Sequence, residues 1–134
     1  YRVQGKDPQD AQRLMNEAKA LEAAGAFGIV LELVTEEVAE AISKELSIPT
    51  IGIGAGRYCD GQVLVYHDLL QYASPYREKR FVKTYADVGN LIREGISQYV
   101  QEVKQRTFPD ENHIFAADES VLESLYGGAD KGVK

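Results

Sequence analysis

The sequence predicts an α/β fold built on a parallel β-sheet, and three observations support this prediction. Helical and strand-like segments alternate in the order helix, strand, helix, strand, loop, strand, helix. The first strand-like segment is almost wholly apolar and rich in branched side chains, which is typical of strands in parallel sheets. The connections are short, and alternating elements of this kind form parallel sheets through right-handed crossovers.

The length of the chain limits the size of this sheet. The chain has 134 residues and a mass of 14.8 kDa, which suits one small domain or half of a large one. Three predicted strands make too small a sheet to bury both faces. Either further strands lie elsewhere, or the chain is a portion of a (β/α)8 barrel, a fold of about 250 residues. Because the sequence starts at Tyr1 without an initiator methionine, we expect a fragment.

Composition and charge argue against several classes of protein. At 44% hydrophobic and 27% charged residues, the chain can bury a core. The net charge of −6 argues against nucleic acid or an anionic membrane as the main partner. No apolar run approaches the roughly 18–20 residues that cross a bilayer, and the start does not resemble a signal peptide. The single cysteine, Cys59, cannot form an internal disulfide, which favours a reducing cytoplasm.

The first three elements are predicted from caps and apolar spacing. A helix is expected over about residues 8–24, with Asp7 as its N-cap. The apolar run at 27–34 predicts a strand that is buried on both faces. Thr35 is expected to cap a second helix that extends to about residue 46.

The later elements alternate in the same way. Residues 50–55 predict a second strand, and residues 63–68 predict a third one after a glycine-rich loop. An irregular, tyrosine-rich segment follows. Asp87 is expected to cap a long final helix with an apolar face. A short helix is predicted near 119–125, and the last seven residues, GADKGVK, are expected to fray.

Glu32 is the most informative single residue, since it lies near the carboxyl end of an apolar strand. Alternation places it on the face of Gly28, Val30 and Val34. A buried carboxylate must be paired, hydrogen-bonded or protonated. In a barrel this end of a strand faces the active site, where a carboxylate can act as a base or ligand. The alternative is an ion pair with a Lys or Arg of a neighbouring strand.

The glycine-rich segment GIGAG, at 52–56, does not match the dinucleotide-binding fingerprint, because the spacing of its glycines differs. Its glycines could let the backbone approach a ligand closely or hold an anion. The alternative is that small residues fit a crowded barrel wall or a strained turn.

The remaining polar candidates carry weaker signals. His67 and Asp68 follow a predicted strand and could orient a substrate or relay protons, or simply form a hydrogen-bonded strand terminus. Asp60 belongs to a turn signal that needs no catalytic meaning. Cys59 lacks a nearby activating base, so we expect no nucleophilic role, and His113 is expected at the surface. No cluster with metal-ligand spacing occurs in the sequence.

A series of motifs, taken in order, resembles the C-terminal half of the ketopantoate hydroxymethyltransferase family. The motifs are YRVQG at 1–5, LEAAGA at 21–26, IVLELV at 29–34, IPTIGIGAG at 48–56, DGQVLVYHD at 60–68 and FPDENHIF at 108–115. The resemblance implies a (β/α)8 TIM barrel of the phosphoenolpyruvate mutase-like group, with three of its parallel strands in residues 1–115. Residues 116–134 would then form a tail that is partly helical or disordered.

The resemblance also implies a reaction. The family transfers a hydroxymethyl group from 5,10-methylenetetrahydrofolate to 3-methyl-2-oxobutanoate, giving 2-dehydropantoate for pantothenate biosynthesis, through an enolate stabilised by Mg²⁺. Glu32 matches the family's general base. The ligands of Mg²⁺, and the Ser and Lys that bind the keto acid, are expected in the N-terminal half. The fragment alone is therefore expected to lack activity.

Other family properties are implied without assigned residues. A homo-oligomer is expected, commonly a decamer, in the cytoplasm, with the keto acid and the folate as small-molecule partners. Gly54, Asp60, His67 and Asp68 match family motifs, but neither they nor any other residue is assigned to the folate. Two alternatives stay open: a related barrel lyase that forms a metal-bound enolate, and a non-catalytic α/β binding domain in which Glu32 forms an ion pair.

Overall fold

A computed structural model describes residues 2–72 and 79–126. The helices and strands are α1 (Pro8–Ala23), β1 (Ile29–Glu32), α2 (Glu36–Glu45), β2 (Thr50–Ile53), β3 (Gly61–Gln62), α3 (Tyr66–Leu69), α4 (Val88–Gln105), a 3₁₀ turn (Glu111–His113) and α5 (Glu119–Tyr126). The chain divides into two compact units, Tyr1–Asn90 and Leu91–Lys134. The predicted fraying of GADKGVK falls outside the described residues.

The first unit contains a parallel three-stranded sheet in the order β1-β2-β3. The α/β class and the parallel strands are therefore confirmed. The N-terminal segment adds one more parallel pairing, because the Gln4 N–H donates to the Leu33 carbonyl at 2.7 Å and the Thr35 N–H donates to the Gln4 carbonyl at 3.0 Å. The segment therefore pairs with the chain two residues after the end of β1, whereas β2 pairs with β1 itself.

The predicted helix caps are confirmed at α1 and altered at α2. The Asp7 carboxylate accepts the Asp10 N–H at 2.8 Å, with proline in the first turn. Thr35 occupies the N-cap position of α2, but its hydroxyl makes no capping hydrogen bond. Instead it donates to the Gly5 carbonyl at 2.9 Å. The hydroxyl thus holds the N-terminal segment beside the sheet, which was not predicted.

The prediction that the first strand is buried on both faces is wrong for this chain. Ile29 and Leu31 are buried, whereas Val30 is 62% exposed and Glu32 is exposed. The reason is that α1 and α2 contribute to a core on one face only. Val34 also lies in that core rather than on the face of Glu32, because Leu33 adopts a left-handed φ of 54° that interrupts the alternation.

The third strand was predicted at 63–68, and this is also wrong. β3 covers only Gly61–Gln62, and α3 begins at Tyr66. The Asp68 and Leu69 N–H groups both donate to the Val65 carbonyl at 2.9 Å. Local helical hydrogen bonds thus satisfy the backbone where, among the described residues, no further strand pairs with β3. His67 and Asp68 therefore lie in a short helix rather than in a strand.

The later helices agree with the sequence pattern. The Asp87 side chain accepts the Asn90 N–H at 3.2 Å at the start of α4, and α5 covers the predicted short helix. Many of the apolar side chains of α4 are exposed; these are Leu91, Ile92, Ile96, Tyr99, Val100 and Val103. Within the described ranges, no helix is both long and apolar enough to cross a membrane.

The core of the first unit predicts a large cost for truncating Ile42. Its side chain is fully buried on the inner face of α2, in a cluster with Ile29, Leu31 and Val34. Replacing Ile42 by alanine should lower the free energy of unfolding by about 2–5 kcal/mol, through lost burial and a residual cavity. Ile42→Val is the graded control, with an expected loss of about 0.5–1.5 kcal/mol. Denaturant titration measures both losses, and equal losses would contradict the packing described.

Candidate active site

The carboxyl ends of β1 and β2 form the candidate site. Glu32, the last residue of β1, lies in register with Ile53, the last residue of β2, and the Leu33 N–H donates to the Ile53 carbonyl at 2.9 Å. The Glu32 side chain is exposed, and no hydrogen bond or ion pair to its carboxylate occurs among residues 2–72 and 79–126. The expected burial of this carboxylate is therefore wrong for this chain. The ion pair with a neighbouring strand is likewise not formed by the residues described.

The glycine-rich loop leaves β2 beside Glu32. Gly54 and Gly56 adopt left-handed φ values of 65° and 78°, which glycine reaches without the steric cost of a side chain. A Cβ on Gly54 would lie 3.0 Å from Phe81 Cγ and 3.1 Å from Leu33 Cδ2. The two alternatives for this segment were close approach of a ligand and crowding within the protein. Crowding by the protein's own side chains explains why position 54 is a glycine.

An ion pair that sequence reasoning missed holds the far end of this loop. Glu36, in the first turn of α2, accepts the Arg57 backbone N–H at 3.0 Å and the Arg57 Nε–H at 3.2 Å through the same oxygen. Gly56 passes so close that a Cβ there would lie 2.5 Å from Glu36 Cγ. The sequence contains one indication of this ion pair, which is an acidic residue at a predicted helix N-terminus together with an arginine directly after GIGAG.

The Glu36 contact predicts a pH-dependent contribution to stability. The Arg57 N–H, followed by the guanidinium, lowers the pKa of Glu36 below its ordinary value. The contribution is therefore fully present above the unfolded-state pKa and is lost as the pH falls through the lower folded-state pKa. Glu36→Ala should lower the denaturation midpoint at neutral pH and have a smaller effect in acid.

The matched control is Glu37→Ala in the same turn of α2, where the side chain is exposed and also faces the helix N-terminus. Denaturation midpoints of both variants at neutral and acidic pH measure the difference. An equal loss for the two variants at both pH values would mean that the helix dipole, rather than the contact with Arg57, is responsible.

Asp60 has a structural role away from the carboxyl ends of β1 and β2. Its carboxylate accepts the Thr50 backbone N–H at 2.8 Å and the Thr50 hydroxyl at 3.1 Å, and Ser43 Oγ lies 2.7 Å from the same hydroxyl oxygen. The Thr50 N–H lowers the pKa of Asp60. Because Thr50 begins β2 whereas Glu32 ends β1, Asp60 anchors the opposite end of the sheet.

His67 and Asp68 have separate partners in the structure. Asp68 Oδ2 accepts Lys79 Nζ at 2.7 Å. The His67 ring instead lies with the rings of Tyr66 and Tyr72, each at a centroid distance of 5.2 Å. This grouping of rings was not predicted, although all three residues lie within a seven-residue stretch of the sequence.

The other predicted candidates lie outside this site. Cys59 is half-buried, and its Sγ lies 2.9 Å from the position of a Cβ on Gly52, so it fills space beside β2. His113, in the second unit, places Nδ1 2.5 Å from Asp110 Oδ1. Within the described part of the chain, no group of three or more His, Cys, Asp or Glu side chains could hold a metal ion.

Comparison with known proteins identifies the relatives of this chain. Residues 1–111 match the family model described as ketopantoate hydroxymethyltransferase. Three similar proteins are each named 3-methyl-2-oxobutanoate hydroxymethyltransferase. The protein from Halalkalibacterium halodurans is 57% identical over 129 residues, which are 96% of this chain and 46% of that protein.

The other two relatives show the same coverage. Those from Clostridium botulinum (strain Langeland) and Carboxydothermus hydrogenoformans are 51% and 55% identical over 126 residues, 94% of this chain and 46% and 45% of the relatives. The chain thus spans slightly under half the length of these curated relatives, and it corresponds to their C-terminal part. From the family match and these identities, we conclude that the chain belongs to the ketopantoate hydroxymethyltransferase family.

Proposed function

We propose that the protein containing this chain is a hydroxymethyltransferase of pantothenate biosynthesis that acts on 3-methyl-2-oxobutanoate, and that Glu32 is its general base. The placement of Glu32 carries the proposal. It ends a parallel strand at the carboxyl edge of the sheet, the edge at which α/β enzymes bind their ligands. Its carboxylate has no partner among the described residues, so a substrate can contact it.

The chemistry requires such a base. The keto acid carries one hydrogen on C3, next to its carbonyl, and a carboxylate within hydrogen-bond reach can remove it. Carbon C3 then forms a bond to the one-carbon unit of 5,10-methylenetetrahydrofolate. Water supplies the hydroxyl oxygen, and both bonds from the one-carbon unit to nitrogen atoms of the folate break. The proton removed from C3 and one proton from the water end on these two nitrogens, so the products are 2-dehydropantoate and tetrahydrofolate. In this scheme Glu32 holds the proton taken from C3.

The Mg²⁺ ion that family resemblance implies is not assigned to this chain. Among the described residues, no three or more His, Cys, Asp or Glu side chains group together in a way that could hold a metal ion. We place its ligands, and the groups that bind the keto acid, in the part of the relatives that this chain does not cover. We therefore propose that the chain alone is inactive.

The exposed face of the sheet supports the proposal that the full-length protein forms a complete barrel. In a (β/α)8 barrel, helices cover the outer face of each strand and side chains fill the interior. Here α1 and α2 contribute to a core on one face of β1, while Val30 and Glu32 on the other face are uncovered. We propose that the remaining strands of the barrel enclose this second face. A homo-oligomeric state, as large as a decamer, and a cytoplasmic location stay predictions.

Product analysis of the full-length protein tests the proposed reaction. With 3-methyl-2-oxobutanoate, 5,10-methylenetetrahydrofolate and magnesium, we expect 2-dehydropantoate, detected by mass spectrometry. Omission of the folate should abolish product formation. Cleavage of a carbon–carbon bond in the absence of folate would favour the barrel lyase instead, and an absence of both activities would favour a binding domain.

A further inference from the structure

The residue directly after Glu32 has an unusual backbone conformation. Leu33 adopts a φ of 54°, in the left-handed region that residues other than glycine seldom occupy and that Asn and Asp tolerate best. Such conformations persist where the surrounding structure holds them, and they are concentrated at functional sites. Leu33 lies at the carboxyl end of β1, between the proposed base and the buried Val34.

Two hydrogen bonds to distant parts of the chain hold the backbone of Leu33. Its N–H donates to the Ile53 carbonyl at 2.9 Å, and its carbonyl accepts the Gln4 N–H at 2.7 Å. In a regular strand, the N–H and the carbonyl of one residue point toward the same neighbouring strand. At Leu33 they have different partners, because the left-handed conformation turns one peptide group relative to the other. The two hydrogen bonds thus favour this conformation over the extended one.

The side chain of Leu33 packs against the glycine-rich loop. Leu33 Cδ2 lies 3.1 Å from the position that a Cβ on Gly54 would occupy, and Phe81 Cγ lies 3.0 Å from the same position. This contact offers an alternative role for Leu33, that of an apolar residue which merely fills space. The two roles predict different effects of substitution, because one depends on the backbone and the other on the side chain.

The conformation of Leu33 determines which way Glu32 points. Glu32 stays in register with Ile53 at the end of β1, and Val34 is 5% exposed in the core. With an extended Leu33, the side chains of residues 32 and 34 would lie on the same face of the strand. Burial of Val34 would then draw Glu32 toward the core. The left-handed residue instead lets Val34 enter the core while Glu32 stays on the opposite face.

We propose that Leu33 is a positioning residue for the general base, and that its left-handed backbone, held by Ile53 and Gln4, fixes the direction in which the Glu32 carboxylate leaves the strand. The inference rests on the proposed function, which assigns removal of the C3 proton to Glu32. No proton transfer is assigned to Leu33 itself. Its effect on the rate comes from the placement of Glu32, since a displacement of about 1 Å can cost about 10²-fold.

Two substitutions of Leu33 in the full-length protein separate the backbone role from packing. Asparagine tolerates the left-handed conformation but is polar, whereas valine is apolar and, being β-branched, disfavours that conformation. The maximal rate of C3-proton exchange, measured in D2O without folate, should stay within about three-fold of wild type in Leu33→Asn and fall about 10–100-fold in Leu33→Val. Equal rates in the two variants, or the reverse order, would overturn the proposal.

A matched control places valine at another left-handed residue. Arg106, in the second unit, has a φ of 58°, so Arg106→Val introduces the same unfavourable conformation away from Glu32 along the chain. Exchange should not change in this variant, and a loss equal to that of Leu33→Val would attribute the effect to stability and overturn the proposal. All rates are measured below the denaturation midpoint of each variant. If Leu33→Val does not fold, Leu33→Ala, which disfavours the conformation less strongly, is compared with Leu33→Asn instead.

A double variant tests whether Leu33 acts through Glu32. Adding Leu33→Val to Glu32→Gln should cause no further loss of the residual exchange, because contributions that depend on one another are not additive. A further loss of the same size as in the single variant would give Leu33 an independent, structural role and overturn the proposal. If the wild-type protein shows no exchange, or Glu32→Gln exchanges at the wild-type rate, the proposed function fails and this inference fails with it.

Discussion

Replacing Glu32 by glutamine in the full-length protein is expected to slow exchange of the C3 proton of 3-methyl-2-oxobutanoate by about 10²–10⁴-fold, the usual contribution of a positioned general base. The amide keeps the shape of the side chain but cannot take up the proton. Nuclear magnetic resonance in D2O measures the exchange without folate, so the result reports on proton removal alone. Exchange near the wild-type rate would exclude Glu32 as the base.

The structure indicates that Glu32→Gln should change proton removal without disturbing the fold. Glu32 is exposed, and its carboxylate has no hydrogen bond or ion pair within residues 2–72 and 79–126. The amide therefore breaks no contact described here, and the denaturation midpoint should not change. Glu37→Gln on the exposed side of α2 is the matched control, because it removes one negative charge away from the site. A loss of both stability and exchange in Glu32→Gln would point to a structural role instead.

Turnover by residues 1–134 alone is expected to be absent, and co-expression with the remaining part of the protein should restore it. The chain spans 46% of its relative from H. halodurans, and the sheet face that carries Val30 and Glu32 is uncovered. Formation of 2-dehydropantoate by the chain, by its complement and by the mixture measures the effect. Only the mixture should give product.

Two controls make this experiment informative. Circular dichroism of the isolated chain establishes that it is folded when its activity is measured. The mixture should also be prepared with the Glu32→Gln chain, which should assemble but give no product. Activity of the isolated wild-type chain would mean that substrate and donor bind without the rest of the relatives' length, contrary to our proposal.

Local interactions made the first helices and strands predictable. The Asp7 cap and the apolar spacing of α1 depend on residues within a few positions of one another, and the structure confirms them. The branched apolar residues of β1 and β2 likewise predict parallel strands without knowledge of their partners. The acidic first turn of α2 also follows from sequence. The hydroxyl of Thr35, at the N-cap position, does not cap the helix and instead donates a hydrogen bond to the Gly5 carbonyl.

Long-range interactions account for the differences. The third strand is short because, among the described residues, no further strand pairs with it, and nearby hydrogen bonds then favour α3. The Glu36–Arg57 ion pair joins residues 21 positions apart. The rings of Tyr66, His67 and Tyr72 contact one another because the helical backbone of α3 brings Tyr72 close to the two earlier rings. None of these contacts produces a repeating pattern of residues in the sequence from which it could have been predicted.

Caps, periodicity and motifs are local properties of the chain, and they were enough to predict the α/β class, the parallel strands, the family and the position of Glu32 at a strand end. The tertiary structure was needed to show which face of β1 is covered, that Glu32 is exposed and unpaired among the described residues, and that Asp60 anchors the opposite end of the sheet. Burial and charge pairing depend on which distant residues come into contact, and the order of residues along the chain does not specify those contacts pair by pair.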